Sequence, residues 1–380
     1  MAEKFAKVES ENDAFHSKLS VRNAVKNKSI SLRKPANIGC YSLEAKNTQT
    51  KSYSEDLTQL RYLYLPTEDC FCFDLNDGYN ECIHWGEPDS EGLSHMFKWI
   101  LNNRSKFKLA NEKQAGQSLN TDFVCFRGLI AQIMSTPYER NEDWCIHATK
   151  FNGTIYLINK VTERKKAVEA NRDDSCNRAC FAGFRFEHYI CTKKPGTMPK
   201  KNLIDTNISQ NQLCAVFRTR LNTHSCVYAA EMDCIESDNP KILNFIEIKT
   251  TKEFESKRQY DNFRRYKILK WWAQSYLVGI KTIVCGYRDE RNYVRKIERF
   301  SVDRLRELGE EYWSPNICLN FLDTFFTFVK QCAYVDDPKR VFEFYCDPLN
   351  KEITCRELKE EEYRFVPDCD IRFVQLKAKV

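Results

Sequence analysis

Two short segments in the middle of the chain alternate charged and apolar residues with the two-residue period of a β-strand. The first reads Val-Tyr-Ala-Ala-Glu-Met-Asp-Cys from residue 227, and the second reads Leu-Asn-Phe-Ile-Glu-Ile-Lys-Thr from residue 243. Successive side chains of a strand point to opposite faces, so Glu231 shares a face with Asp233, and Glu247 shares a face with Lys249. An Asp-Asn-Pro turn lies between the segments. The pattern therefore predicts two antiparallel neighbours that bring these four side chains together.

Three carboxylates on one patch repel each other and raise one another's pKa unless a cation lies among them. Oxygen ligands of this kind suit Mg²⁺ or Mn²⁺, and two such ions could hold the attacking and leaving oxygens of a phosphate. Lys249 would add a positive charge for a developing oxyanion or fix the attacking water. The same residues are equally compatible with a solvent-exposed strand face and an ordinary cross-strand ion pair.

A basic and aromatic helix follows these strands. Lys267, Lys270 and Gln274 recur at i, i+3 and i+7, which places them on one stripe of a helix. Trp271 and Trp272 flank the stripe, and such a combination can bind phosphates and stack bases. The alternative is a solvated lysine face above two core tryptophans, and for Trp272 the core is the favoured interpretation.

Two further segments are weak when taken alone. Arg127 precedes Gly128, and an arginine beside a glycine is usually a surface residue. Glu187 ends the segment Gly-Phe-Arg-Phe-Glu inside an otherwise apolar helix, where most glutamates point to solvent.

Charge and cysteine content exclude several classes of protein. The net charge is only +6, from 59 basic and 53 acidic residues, so any nucleic-acid affinity must come from a local basic groove. The 18 cysteines include no Cys-x-x-Cys pair, which argues against a structural zinc site. The N-terminus has no apolar run and no stretch has the length of a membrane span, so we expect reduced thiols in the nucleus or cytoplasm.

The polar first 35 residues predict a flexible tail, and residues 36–380 predict a single domain of mixed α/β structure with sheets flanked by helices. No glycine-rich phosphate loop is present. The strand-like runs are 145–149, 154–158, 227–234, 243–250 and 282–287, and the helix-like runs are 93–101, 126–135, 177–190, 263–278 and 318–332.

Taken together, the segments occur in one order. Arg-Gly at 127 is followed by Gly-Phe-Arg-Phe-Glu, Glu-Met-Asp, Glu-Ile-Lys and then Lys-Ile-Leu-Lys-Trp-Trp-Ala-Gln, with Leu-Arg-Tyr-Leu near residue 60 and Val-Asp-Asp-Pro at 335. This order resembles the eukaryotic DXO decapping exonuclease family, which includes nuclear RNA 5′-pyrophosphohydrolases. The resemblance covers about residues 36 to 380.

The resemblance implies an α/β (α+β) fold of two twisted mixed β-sheets flanked by helices, with a restriction-nuclease-like PD-(D/E)xK core. It implies a site for two Mg²⁺ or Mn²⁺ ions, a pair of residues that hold water or the scissile phosphate, and an arginine on the phosphate backbone. These residues are Glu187, Glu231, Asp233, Glu247 and the carbonyl of Ile248 for the metals, Lys249 and Gln274 for the water or phosphate, and Arg127 for the backbone.

The implied activity is removal of a 5′ triphosphate, an incomplete guanosine cap or an NAD-type cap from RNA, with 5′–3′ exoribonuclease activity. The resemblance also suggests a nuclear 5′–3′ exoribonuclease as partner. We expect a monomer without membrane association, in the nucleus and/or the cytoplasm with the nucleus favoured. Many relatives have Thr-Lys where this chain has Ala131 and Gln132, which puts RNA affinity in doubt. The alternatives are a non-catalytic RNA-end-binding scaffold of the same fold and a DNA nuclease.

Overall fold

The structure, a computed structural model, describes residues 16–46, 51–67, 70–81, 92–107, 118–199, 211–359 and 361–366. Within these ranges the strands are β1 (His16–Ser20), β2 (Ala36–Ala45), β3 (Lys51–Ser54), β4 (Tyr62–Leu63), β5 (Phe73–Asp74), β6 (Phe123–Phe126), β7 (Trp144–Phe151), β8 (Thr154–Lys160), β9 (Cys191–Thr192), β10 (Gln212–Leu221), β11 (His224–Met232), β12 (Cys234–Ile235), β13 (Phe245–Lys252), β14 (Thr282–Arg288), β15 (Tyr293–Ser301), β16 (Val341–Asp347) and β17 (Glu352–Leu358).

The α-helices of the described residues are α1 (Val21–Ala24), α2 (Ser94–Asn102), α3 (Arg127–Ser135), α4 (Glu163–Ala170), α5 (Asp174–Ile190), α6 (Lys257–Asn262), α7 (Ile268–Val278), α8 (Val302–Gly309) and α9 (Pro315–Cys332). Short 3₁₀ helices span Arg104–Phe107, Thr136–Tyr138 and Glu361–Tyr363, and a π-helical turn at Phe263–Lys267 leads into α7. The helix-like and strand-like runs predicted from the sequence fall on such elements with ends that differ by a few residues, except that the run 227–234 is divided between β11 and β12.

The strands form two sheets. The larger sheet has the order β1-β17-β16-β7-β8-β6-β11-β10-β2-β3, and the smaller has the order β5-β15-β14-β13-β12-β4-β9. Both are mixed, because β6 runs parallel to β8 and β11, and β13 runs parallel to β14, among antiparallel neighbours. This is the predicted fold class.

Local turn chemistry explains the β7–β8 hairpin. The two residues between the strands, Asn152 and Gly153, have φ of +50° and +80°. A two-residue hairpin of the primed type needs positive φ at both central positions, and Asn-Gly is the pair that adopts it at least cost. The register that follows places Thr149 opposite Tyr156.

The main apolar core lies between the sheets. It contains Ile146 and Phe217 of the larger sheet, Ile283 of the smaller sheet, and the helices α3, α7 and α9. A second core packs α2 on the other face of the larger sheet, and a third packs α5 on the other face of the smaller sheet. The predicted core position of Trp272 is confirmed, since it is 2% exposed.

The prediction that the two acidic strands are antiparallel neighbours is wrong for most of their length. Residues 227–234 do not form one strand: β11 belongs to the larger sheet, and the chain crosses at Asp233 into β12 of the smaller sheet. Only β12 pairs antiparallel with β13, through Cys234 opposite Ile246. Alternation gives the face of a residue but does not specify which strand is its neighbour.

The predicted flexible tail is also wrong for residues 16–35, and residues 1–15 lie outside the described part of the chain. β1 pairs with β17, Val21 is buried in the main core, and Asn320 donates its side-chain amide to the carbonyl of Lys28 at 2.6 Å. An edge strand needs only backbone hydrogen bonds on one side, so a polar composition does not prevent it. In the described part of the chain, no helix has both the length and the apolar character to cross a membrane.

Candidate active site

The candidate site lies at the end of β11, where the chain passes from the larger sheet to the smaller one. β6 and β11 are parallel, so their carboxyl ends meet at the same edge. The residue after β6 is Arg127, which begins α3, and the end of β11 contains Glu231. Asp233 follows at the crossing between sheets, beside β13 with Glu247 and Lys249. The topology therefore brings the residues predicted on separate segments to one place.

Glu247 is the centre of the site. It is 1% exposed, and its two oxygens accept different hydrogen bonds, one from Lys249 Nζ at 2.6 Å and one from an Arg127 guanidinium nitrogen at 2.9 Å. Burial by itself would raise the pKa of Glu247, but Arg127 and Lys249 lower it to about 2. The simple alternative of a solvent-exposed strand face is wrong for this residue. Ile246 and Ile248 point the other way into the third core, as alternation predicts.

Asp233 is tied to the smaller sheet by the backbone. One of its carboxylate oxygens accepts the N–H of Ile248 at 2.6 Å. Burial and the nearby Glu247 raise the pKa of Asp233 to about 7, although Lys249 and the Ile248 amide oppose the change. The site therefore contains one carboxyl that is held charged by cations and another that resists ionisation.

Glu187 reaches the site from α5. Its neighbour Phe186 is fully buried against β14, where a Cβ on Gly286 would come within 2.7 Å of the Phe186 ring, so only a glycine allows this approach. The Glu187 carboxylate lies 3.8 Å from the guanidinium of Arg61. Burial and the charge of Asp233 raise the pKa of Glu187 well above its ordinary value. Close packing of α5 on β14 thus places a fourth carboxylate beside the others.

Glu231 lies at the open side of the site. It accepts a hydrogen bond from the side-chain amide of Gln212 at 3.2 Å. Although Glu231 retains contact with solvent, the protein atoms around it raise its pKa, and Arg61 and Arg127 oppose this effect. We call Glu187, Glu231, Asp233 and Glu247 the carboxylate cluster.

The carboxylate cluster fits divalent metal ions. Desolvation by the surrounding protein raises the pKa of Glu187, Glu231 and Asp233, and the neighbouring carboxylates raise it further. A cation among them would remove this penalty, and an all-oxygen donor set is the one that Mg²⁺ and Mn²⁺ prefer. The chemistry of the donor set, rather than a single distance, is what fits this cluster to a divalent cation.

The predicted stripe on α7 divides into two environments. Lys267 ends the π-helical turn and donates to the hydroxyl of Thr251, two residues beyond Lys249 on β13, at 3.4 Å. Lys270 instead binds Glu142 at 3.0 Å on the surface. Gln274 is half-buried on the same helix. Of the two lysines, Lys267 is the one whose contact lies on the strand of the site.

Sequence reasoning missed Arg61 as a site residue. It follows no local pattern of its own and belongs to the Leu-Arg-Tyr-Leu segment that was used only for the resemblance. Its side chain is 16% exposed and lies between β4 and α5, far from Glu187 in sequence. At the departure from the relatives, Ala131 is 5% exposed in the main core and Gln132 is partly exposed.

Comparison with known proteins places these features in context. The family model described as RAI1 like PD-(D/E)XK nuclease matches residues 33–369. The decapping and exoribonuclease protein of Bos taurus is 32% identical over 345 residues, a match that covers 88% of this chain and 84% of that protein.

Solved structures show the same fold. The crystal structure of Scheffersomyces stipitis Rai1 in complex with (3′-NADP)⁺ and calcium ion has a TM-score of 0.78 at 19% identity. The match covers 97% of this chain and 100% of that chain. The crystal structure of Candida albicans Rai1 in complex with pU5-Mn²⁺ has a TM-score of 0.73 at 20% identity, and covers 92% of this chain and 95% of that one.

Proposed function

This chain belongs to the RAI1-like PD-(D/E)XK nuclease family, and on that basis we propose that it is a divalent-metal-dependent hydrolase of RNA 5′ ends. The observation that supports this proposal most directly is the buried Glu247, which lies between Arg127 and Lys249 beside a second carboxyl, Asp233. Carboxylates grouped beside a lysine can hold divalent ions and place a positive charge near a phosphate, which suits metal-dependent phosphate hydrolysis.

The proposed substrates are RNAs with a 5′ triphosphate, an incomplete guanosine cap or an NAD-type cap, and 5′-monophosphate RNA degraded in the 5′–3′ direction. The name of the Bos taurus relative, a decapping and exoribonuclease protein, supports this range. The complexes of Rai1 structures with (3′-NADP)⁺ and with pU5-Mn²⁺ also support it, since one ligand is a dinucleotide and the other an oligonucleotide.

The metal complement that we propose is two ions, Mg²⁺ or Mn²⁺. The residues that would hold them are Glu187, Glu231, Asp233 and Glu247, with the backbone carbonyl of Ile248. When bound, such ions supply Lewis acidity to the phosphate and lower the pKa of water at the site. The manganese and calcium in the related structures are consistent with a divalent-ion requirement.

The cationic side chains have roles of their own. Burial alone would lower the pKa of Lys249, but Glu247 and Asp233 raise it above its ordinary value, so the ammonium remains charged at neutral pH. A fixed positive charge in a partly desolvated site stabilises the negative charge that develops on a phosphate oxygen. Arg127, which is 9% exposed, would offer its remaining N–H donors to a backbone phosphate.

Gln274 and the lysines of α7 extend this surface. We assign Gln274 to the positioning of water or the scissile phosphate, and Lys267 to contact with RNA phosphates. Lys270 has a weaker case because Glu142 and Glu139 already neutralise it. Phosphate contacts of this kind orient RNA without reading its sequence.

Family membership also supports proposals about location, oligomeric state and protein partner. We place the protein mainly in the nucleus, as a monomer, with a 5′–3′ exoribonuclease as partner. Fluorescence microscopy of the tagged protein and sedimentation of the purified protein would test location and oligomeric state; exclusion from the nucleus or a stable dimer would contradict them.

The second candidate function is a non-catalytic scaffold that binds RNA ends. A scaffold has no need of four carboxylates held together against their mutual repulsion, and all four are present here. A DNA nuclease would use the same cluster, so DNA and RNA of one sequence must be compared directly.

The decisive experiment uses 5′-monophosphate RNA labelled at its 3′ end, purified protein, and Mg²⁺ or Mn²⁺, with Asp233→Ala as the control. We expect progressive loss of full-length RNA with the natural protein and none with the variant. An intact band would restrict the protein to end trimming, to be sought with triphosphate, guanosine-capped and NAD-capped RNA. Inactivity on all four RNAs would favour the scaffold, and equal activity of Asp233→Ala would refute the assigned site.

A further inference from the structure

A second group of metal-ligating side chains lies in the larger sheet, on strands that contribute nothing to the carboxylate cluster. It consists of Cys145 and His147 of β7 and Glu343 of β16, and its ligand atoms all lie within 4.8 Å of one another. We call it the thiol–imidazole cluster. Cys145 is 7% exposed and His147 is 3% exposed, so two of its three residues are removed from solvent.

Strand geometry alone builds this cluster. Cys145 and His147 are two residues apart on β7, and side chains at that spacing share a face. Glu343 is the direct cross-strand partner of His147 in the antiparallel pair of β7 and β16. The alternating residues Ile146 and Ala148 point into the main core, so the ligand-bearing face is the opposite one.

The imidazole of His147 makes only a long polar contact within the cluster. Nε2 of His147 lies 3.5 Å from Oε2 of Glu343, which is longer than an ordinary N–H···O hydrogen bond. Nδ1 of His147 is buried and has no hydrogen-bond partner among the described residues. The hydrogen bonds that the structure describes therefore leave this imidazole, at the centre of the cluster, only partly satisfied.

The same separation suits a metal ion. Two ligand atoms that each lie about 2.0 Å from a tetrahedral zinc ion are about 3.3 Å apart. Arg356 donates from Nε to Oε1 of Glu343 at 2.6 Å, which leaves Oε2 directed toward His147. An outer residue that fixes one carboxylate oxygen while the other binds metal is a common feature of such sites. Tyr363 covers the imidazole edge-on, with ring centroids 5.8 Å apart.

We infer that Cys145, His147 and Glu343 form a zinc site, with a thiolate, an imidazole and one carboxylate oxygen as its three protein ligands. Sulfur and nitrogen donors select zinc over Mg²⁺ and Mn²⁺, which prefer oxygen. The thiol proton of Cys145 would be released to solvent on binding, since the thiolate is the ligand. The ion would join β7 to β16, and its role would be to stabilise the sheet rather than to act on RNA.

Linear spacing does not reveal this site because its ligands come from distant parts of the chain. The familiar zinc patterns have two to four residues between a pair of cysteines. Here Cys145 and His147 share one face of β7 with a single residue between them. The third ligand, Glu343, lies on β16, far from them in sequence.

The test measures zinc binding to the chelator-treated full-length protein, with excess Mg²⁺ present to occupy the carboxylate cluster. A chromophoric zinc chelator serves as competitor, and Co²⁺ replaces zinc in a parallel absorbance titration. We expect one tightly bound zinc ion, a rise in the melting temperature with zinc, and a thiolate-to-cobalt charge-transfer band. Cys145→Ala and His147→Gln should each weaken zinc binding by more than the ~10–100-fold that loss of an outer residue costs, and Cys145→Ala should abolish the band.

Two controls identify the site. Cys346→Ala removes a buried cysteine on β16 whose side chain belongs to the main core, and this variant should retain zinc. Asp233→Asn changes the carboxylate cluster and should also retain zinc. Absence of tight zinc binding in the natural protein would overturn the inference. So would unchanged binding in both Cys145→Ala and His147→Gln, provided that their far-ultraviolet circular dichroism shows folded protein, and so would loss of binding in Asp233→Asn alone.

Discussion

The two groups of ligands in this molecule differ in how they are assembled. The carboxylate cluster takes its residues from α5, from β11 and the crossing that follows it, and from β13, so both sheets must be in place. The thiol–imidazole cluster takes its residues from two adjacent strands of one sheet. One site thus depends on how the sheets meet, and the other on a single strand pairing.

They also differ in charge. The carboxylate cluster contains four acidic groups, which Arg61, Arg127 and Lys249 partly neutralise. The thiol–imidazole cluster contains one carboxylate, which Arg356 already binds. Concentrated oxygen donors call for hard cations, and a thiol with an imidazole calls for zinc. Under the two proposals, the thiol and imidazole would favour zinc at one cluster, and the oxygen donors would accept Mg²⁺ or Mn²⁺ at the other.

The largest expected effect comes from comparing one substitution in each cluster, with turnover of RNA as the measured quantity. Asp233→Asn removes one charged oxygen donor with little change in volume, so we expect turnover of 5′-monophosphate RNA to fall by on the order of 10³-fold, equivalent to about 4 kcal/mol. Cys145→Ala should lose zinc and keep turnover within about twofold, because surface and structural changes far from a site have small effects. Single-turnover kinetics measure both, and a large loss of turnover in folded, Mg²⁺-loaded Cys145→Ala would break the separation of the clusters.

The arginines that hold a carboxylate provide a sharper comparison. Arg127→Gln breaks a buried ion pair to Glu247, so we expect the free energy of unfolding to fall by about 3 kcal/mol in the absence of metal. Mn²⁺ should restore more stability to this variant than to the natural protein, since it supplies the missing positive charge. Arg356→Gln, whose side chain is 55% exposed, should cost less than about 1 kcal/mol. Urea unfolding with and without Mn²⁺ makes the measurement, and equal losses in the two variants would contradict the difference in burial.

The smallest expected effect is on RNA affinity, when single lysines near the carboxylate cluster are removed. Lys267→Ala should weaken RNA binding and reduce the slope of log K against log salt concentration by about 1, as expected for one lost phosphate contact. Lys270→Ala should reduce the slope less, because Glu142 and Glu139 compete for its ammonium. Fluorescence anisotropy with catalytically inactive Asp233→Asn protein measures both slopes. The reverse order would move the RNA path to the outer side of α7.

Much of the local structure follows from the sequence. The Asn152–Gly153 pair specifies a tight hairpin through its positive φ angles, and the alternation around Glu247 gives the correct buried face for Ile246 and Ile248. The periodicity of residues 263–278 predicts a helix, although the π-helical turn at its start is not visible in that periodicity. Such features depend on residues only a few positions apart, whose preferred angles and faces are intrinsic to the chain.

What the sequence determined by itself is therefore the inventory: which segments are strands and helices, which faces are apolar, and which carboxylates, cations and family motifs are available. Tertiary structure alone decided that the chain changes sheets at Asp233, that Arg127 binds Glu247, that Arg61 approaches Glu187, and that residues 16–20 add an edge strand. The physical reason is that each of these depends on contacts between residues distant in sequence. No local propensity encodes such a contact; it forms only when the burial of the whole core outweighs the conformational entropy of bringing those segments together.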